Sequence, residues 1–129
     1  MVGFVIVSHS KTLAEGVCDL ALMMAKDVPV IPAGGMDDGS HGTSFEKIAS
    51  AVEKADQGDG VILLMDMGSA VMTAEMVIES AGRTDVKMAD CPLVEGAVTG
   101  SVLSSSGMSM EEILEELSAV AGQKKLDFC

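Results

Sequence analysis

The chain opens on an unbroken apolar run, Val2-Gly-Phe-Val-Ile-Val7, that stops at Ser8-His9-Ser10. A short β-branched run without polar alternation predicts a strand covered on both faces, as in a parallel sheet. Leu13, Val17, Leu20, Ala21 and Met24 then recur at helical spacing. Thr12 with Glu15 fits a capping box for that helix, and Gly16 inside it predicts a close helix–sheet approach. Val28 to Ala33 reads as the second strand, and the glycine-rich stretch from Gly34 to Gly42 as a loop. Thr43 with Glu46 forms another box ahead of a helix marked by Phe45, Ile48, Ala49, Val52 and Ala55. After the turn at Gly58-Asp59-Gly60 the opening pattern returns: Val61 to Met65 is continuously apolar and ends in Asp66-Met67-Gly68-Ser69. A third helix follows through Ala70, Ala74, Val77, Ile78 and Ala81, then a short strand, Val86 to Ala89. Pro92 opens a helical stretch to about Ser104, interrupted by Gly96 and Gly100. Ser109 and Glu112 cap a last helix that Gly122 ends, and the tail from Gln123 to Cys129 has no period.

Strands alternating with helices predict an α/β fold, and right-handed crossovers make its sheet parallel with helices on both faces. The commonest open four-stranded solution has order 2-1-3-4, with its switch point between the first and third strands. The whole chain, 1–129, reads as one such domain. The loops meeting at the switch point are Ser8-His9-Ser10 and Asp66-Met67-Gly68-Ser69, so His9 and Asp66 are expected to be neighbours.

That pairing carries chemistry. Asp66 can accept a hydrogen bond from one ring nitrogen of His9, leaving the other free as a nucleophile or base. A phosphoryl group on the ring would carry about −1.5 to −2 charges near pH 7. Such an anion is stabilised by hydroxyls and by the N–H groups of helix N-termini. Ser8, Ser10, Gly42, Thr43, Gly68 and Ser69 are the residues placed to supply them. Each also has a plain structural reading: a lone histidine is often structural, Asp66 alone fits a helix start, and glycine-rich loops are often only loops. Neither G-x-x-x-x-G-K-[ST] nor G-x-G-x-x-G occurs, so no nucleotide-binding fingerprint is present.

Composition narrows the classes. Trp and Tyr are absent and Phe occurs only three times, which leaves no aromatic stacking platform for single-stranded nucleic acid. A net charge of −12 would repel any nucleic acid. The eleven methionines, among them Met65, Met67, Met72, Met76, Met108 and Met110, are expected to fill core or interface. Cys18, Cys91 and Cys129 are scattered, with no C-x-x-C pair, so neither a disulfide framework nor a metal site is expected. The start has no basic stretch, the apolar run ends by Val7, and no segment approaches the ~20 apolar residues of a membrane span. A cytoplasmic protein without membrane insertion is the expectation.

Four stretches together carry a resemblance: Val5-Ile-Val-Ser-His-Ser-Lys-Thr-Leu-Ala-Glu-Gly-Val17, Ala33-Gly-Gly-Met-Asp-Asp-Gly39 with Gly42-Thr-Ser44, Asp66-Met-Gly-Ser-Ala70, and Pro92-Leu-Val-Glu-Gly-Ala97. In order and approximate spacing they resemble the DhaM family, phosphotransfer subunits of the phosphoenolpyruvate-dependent dihydroxyacetone kinases, whose domain is similar to the mannose-type enzyme IIA. The resemblance implies that His9 takes a phosphoryl group on Nε2 from phospho-HPr, with Asp66 orienting the ring through Nδ1. It implies transfer to ADP held on the DhaL subunit, which phosphorylates dihydroxyacetone bound to DhaK. It further implies a homodimer, with no nucleotide and no free sugar bound on this domain; no cofactor is expected. His41, Met67 and Thr73 depart from the family's usual residues, and none is expected to touch the nucleophile. A sugar-transport enzyme IIA with the same chemistry is the nearest alternative. A receiver-like domain phosphorylated on Asp66 would need an acidic pair after the first strand, which Ser8-His9 does not supply. A non-catalytic interaction module would have no need of the His9–Asp66 pair.

Overall fold

A computed structural model describes residues 1–126 of the chain. Four parallel strands, β1 (Gly3–Ser8), β2 (Val30–Gly34), β3 (Val61–Met65) and β4 (Val86–Met88), form one sheet in the order β2-β1-β3-β4. The predicted order 2-1-3-4 is therefore the observed one. The helices are α1 (Lys11–Met24), α2 (Phe45–Ala55), α3 (Gly68–Ala81), α4 (Leu93–Ser105) and α5 (Met110–Val120). Phe4, Ile6, Ile62 and Leu64 face α1, α4 and α5, whereas Val5, Val7, Val61 and Leu63 face α2 and α3. This double cover is why β1 is buried at every position and reads as a continuous apolar run.

Several local expectations are corrected. β2 begins at Val30 instead of Val28, because Val28 N–H closes a turn onto Ala25 O. β4 stops at Met88, although Ala89 N–H still bonds Leu63 O. Thr12 does not cap α1: Ser10 is extended and its hydroxyl accepts from Leu13 N–H, so the helix has already begun at Lys11. Ser44, one residue after Thr43, caps α2 in the same way through Lys47 N–H. The Ser109–Glu112 capping box forms as predicted. α5 ends at Val120 through a turn in which Gly122 N–H bonds Ala119 O, with Ala121 right-handed, so no left-handed glycine stops it. The end of the tail, 127–129, lies outside the described residues.

The buried face of α1 is Ala14, Val17, Cys18 and Ala21, while Leu13, Leu20 and Met24 are exposed. Small residues bring α1 down onto β2, where a Cβ on Gly34 would lie 2.5 Å from Ser10 O and 2.7 Å from the Ala14 Cβ. The close contact is thus made by Gly34; around Gly16 a Cβ would meet nothing within 4 Å. Gly34→Ala is expected to destabilise the domain by about 1–3 kcal/mol through overpacking. Denaturant unfolding checks this, and an unchanged midpoint would contradict the packing described.

α4 also lies close to the sheet: a Cβ on Gly100 would come within 2.8 Å of the Phe4 ring. Ser104 Oγ donates to Val2 O at 2.7 Å, but the buried Ser101 hydroxyl has no partner among the described residues. A buried unpaired hydroxyl costs about 1–3 kcal/mol, so Ser101→Ala should raise stability by about 1 kcal/mol. A lower unfolding midpoint for that variant would show that the hydroxyl has a stabilising role.

Candidate active site

β1 and β3 run side by side in register, Val7 opposite Met65, so their next residues emerge together at the carboxyl edge of the sheet. Asp66 N–H bonds Val7 O at 3.1 Å, which extends the ladder one step into the loops. The Asp66 carboxylate then turns back across β1. Its Oδ1 lies 3.0 Å from His9 Nδ1, and its Oδ2 accepts from the His9 backbone N–H at 3.0 Å and from the Ser8 hydroxyl at 2.9 Å. The expected pairing of His9 with Asp66 is present.

Burial alone would raise the Asp66 carboxyl. The His9 amide, the Ser8 hydroxyl and the His9 ring outweigh it and hold the group below the usual carboxylate range. An ionised carboxylate only accepts hydrogen bonds, so the Nδ1 facing it carries the proton. In the neutral ring Nε2 then holds the lone pair, and it points to the more open side, against Ser69 Oγ. The His9 side chain is 22% exposed and that of Asp66 11%, so the ring is reachable and its anchor is sheltered.

The predicted anion-stabilising residues separate into two groups. Ser69, on the first turn of α3, touches Nε2, and Gly68 opens the same helix, whose start has no side-chain cap. Ser10 spends an acceptor position on capping α1 but keeps its hydroxyl proton. Thr43 Oγ1 pairs with Thr73 Oγ1 at 2.8 Å. Two expectations are corrected. Ser8 is fully buried and its only proton goes to Asp66, so it has none to give a phosphoryl oxygen. Gly42 N–H is bonded to His9 O at 2.9 Å; the glycine fixes the loop against the histidine instead of lending its amide to an anion. Its φ of 141° lies where a side chain would be strained.

Two contributors were missed from sequence. Thr73 joins the loop to α3 through Thr43 and lies 3.5 Å from Ser69 O; its position four residues after Ser69, on the same helix face, was the available signal. Lys47 Nζ bonds Gly34 O at 2.9 Å and Met36 O at 3.4 Å and so ties down the start of the glycine-rich loop. His41 in that loop is exposed. Burial, then nearby carboxylates, push the Cys18 thiol up to about 12 and the Cys91 thiol up to about 11, so these two do not compete with the imidazole. Among the described residues no helix is long and apolar enough to cross a membrane. Met110 is buried, whereas Met67, Met72 and Met76 are exposed.

The family model described as PTS system fructose IIA component (EIIA-man) matches residues 3–117. Among curated relatives, the phosphoryl donor subunit DhaM of the PEP-dependent dihydroxyacetone kinase of Providencia stuartii is 40% identical over 123 residues, covering 90% of this chain and 26% of that protein. The phosphotransferase subunit DhaM of the PTS-dependent dihydroxyacetone kinase of Lactococcus lactis is 35% identical and is matched over 98% of its length by 95% of this chain. The chain belongs to the DhaM family of phosphotransfer subunits. It spans about a quarter of the length of the Providencia relative and nearly all of the Lactococcus one. Among solved structures, the unknown-function protein EF1359 superposes with a TM-score of 0.83 at 27% identity, each chain covered to 98%. A sigma-54 interaction domain protein from Enterococcus faecalis shares the fold, with a TM-score of 0.69 at 17% identity, over 92% of this chain and 88% of that one.

Proposed function

We propose that His9 is the phosphoryl carrier of a dihydroxyacetone kinase system. Its Nε2 lone pair attacks the phosphorus of phospho-HPr; the new N–P bond forms as the bond to HPr breaks. The group then passes to ADP on a DhaL subunit, giving ATP, which phosphorylates dihydroxyacetone on DhaK. The observation that carries this reading is the 3.0 Å contact between Nδ1 and Asp66, because it leaves the lone pair on the exposed ring nitrogen. The uncapped start of α3 at Gly68 and Ser69, with the hydroxyls of Ser10 and Thr43, supplies dipoles for the phosphoryl oxygens. In this reading the domain holds the group by dipoles and hydroxyls, which suits release to the next acceptor. The working protein is a cytoplasmic homodimer in this reading.

Incubation with phosphoenolpyruvate, enzyme I and HPr tests the first half: an acid-labile, alkali-stable adduct is expected. ATP formation on addition of ADP-loaded DhaL tests the second half. The description of the family model favours one other acceptor, a sugar-transport component. Discharge by a sugar permease subunit and not by DhaL would establish that acceptor in place of dihydroxyacetone kinase.

A further inference from the structure

We propose that Ser8 is a positioning residue: its buried hydroxyl locks the Asp66 carboxylate and, through it, the tautomer of the His9 ring. Where this concerns transfer rate it rests on the function proposed above; where it concerns the ring it stands alone.

Ser8 is the last residue of β1 and is fully buried, so the backbone fixes its place. Its Oγ makes two bonds with opposite roles. It donates to Asp66 Oδ2 at 2.9 Å and accepts from Ser10 N–H at 3.0 Å. A hydroxyl has one proton, and Asp66 as an anion can only accept, so the direction of both bonds is fixed. The Ser10 amide thereby sets the Ser8 rotor, and the Ser8 rotor aims its proton at Oδ2. Oδ2 takes a second bond from His9 N–H, while Oδ1 is the oxygen that meets the ring. With Oδ2 held from two directions, the carboxylate plane cannot turn and Oδ1 stays on Nδ1. Remove the hydroxyl and Oδ2 keeps one donor, Ser10 N–H loses its acceptor, and the carboxylate can rotate off Nδ1.

The consequence is a shift between the two neutral forms of the ring. With Asp66 fixed, Nδ1 carries the proton and Nε2 is the nucleophile. Without the lock, the form with its proton on Nε2 gains population, and that form cannot attack through Nε2. Asp66 also loses a donor that lowers its pKa. A carboxylate with a depressed pKa makes its contribution above the ordinary value and loses it as pH falls through the depressed one. The variant should therefore lose the His9–Asp66 pair at a higher pH than the parent on acidification.

The experiment is 15N NMR of the imidazole in the whole chain, at alkaline pH where imidazoles are neutral, with His41→Asn to separate the two histidines. Ser8→Ala should move the His9 nitrogen shifts toward the form protonated on Nε2 and raise the acid limit of the pair. Phosphorylation from phospho-HPr should slow by about 10-fold, within the range for residues supporting a reactive group. Ser8→Cys, nearly the same size but a weak donor, should move the shifts in the same direction. Whichever variant folds, unchanged His9 shifts and an unchanged acid limit would overturn the proposal, even if stability falls. The NMR readout needs no phosphoryl donor, so it still decides the role of Ser8 if the chain proves not to be phosphorylated.

Discussion

His9→Ala is expected to abolish phosphorylation by phosphoenolpyruvate, enzyme I and HPr while leaving the fold intact. The structural half of this follows from how His9 is held. Its backbone N–H bonds Asp66 and its carbonyl accepts from Gly42 N–H, and both bonds survive in alanine. The ring itself lies at the edge of the sheet, 22% exposed, and touches Asp66 and Ser69 without entering the apolar core. Loss of signal then reports chemistry and not collapse. The other histidine, His41, sits exposed in the glycine-rich loop. Adduct that persists in His9→Ala would place the carrier elsewhere. Autoradiography of the labelled variant, with circular dichroism on the same sample, checks both halves.

Asp66 variants should come next in size of effect, and the geometry distinguishes two of them. Asp66→Ala removes the acceptor for Nδ1 and should slow phosphorylation by about 10–100-fold, the range found when a partner that orients a ring is lost. Asp66→Asn is expected to be at least as damaging, although it keeps the shape. Ser8 Oγ–H and His9 N–H both point at the Oδ2 position, so the amide oxygen settles there and the amide nitrogen is left facing the ring. That nitrogen donates, so Nδ1 must accept and the proton moves to Nε2. The nucleophilic lone pair is then on the wrong atom, a tautomer fault that can cost several orders of magnitude in other enzymes. Rapid-quench phosphorylation kinetics measure this. Rates for Asp66→Asn equal to the parent would remove the orienting role of Asp66.

The sequence made the frame legible because buried parallel strands write themselves as uninterrupted apolar runs. Val2 to Val7 and Val61 to Met65 both do so, and each ends in polar residues that reach the same edge. Topology then brought His9 to Asp66 across the chain. Helix faces were less legible, since periodicity ignores size: Leu13, Leu20 and Met24 fit the α1 pattern, but the sheet accepts only the small face of Ala14, Val17, Cys18 and Ala21. Within the site, residue type indicated which groups were polar but not where their protons go. Ser8 and Ser10 look equivalent on either side of His9, yet one is buried under Asp66 and the other caps a helix. Gly42 looked like an anion donor, and its amide is spent on His9 O. Those assignments depend on hydrogen-bond direction, which a linear pattern does not encode.

Whether His9 is the carrier is decided by the position of the phosphoryl group on the protein. The 15N-labelled chain is charged with phosphoenolpyruvate, enzyme I and HPr, and nitrogen–phosphorus coupling is read in the imidazole spectrum. A single phosphoryl group on Nε2 of His9, with Nδ1 still protonated, is expected. A phosphoryl group on Nδ1, on His41 or on the Asp66 carboxylate would contradict that assignment.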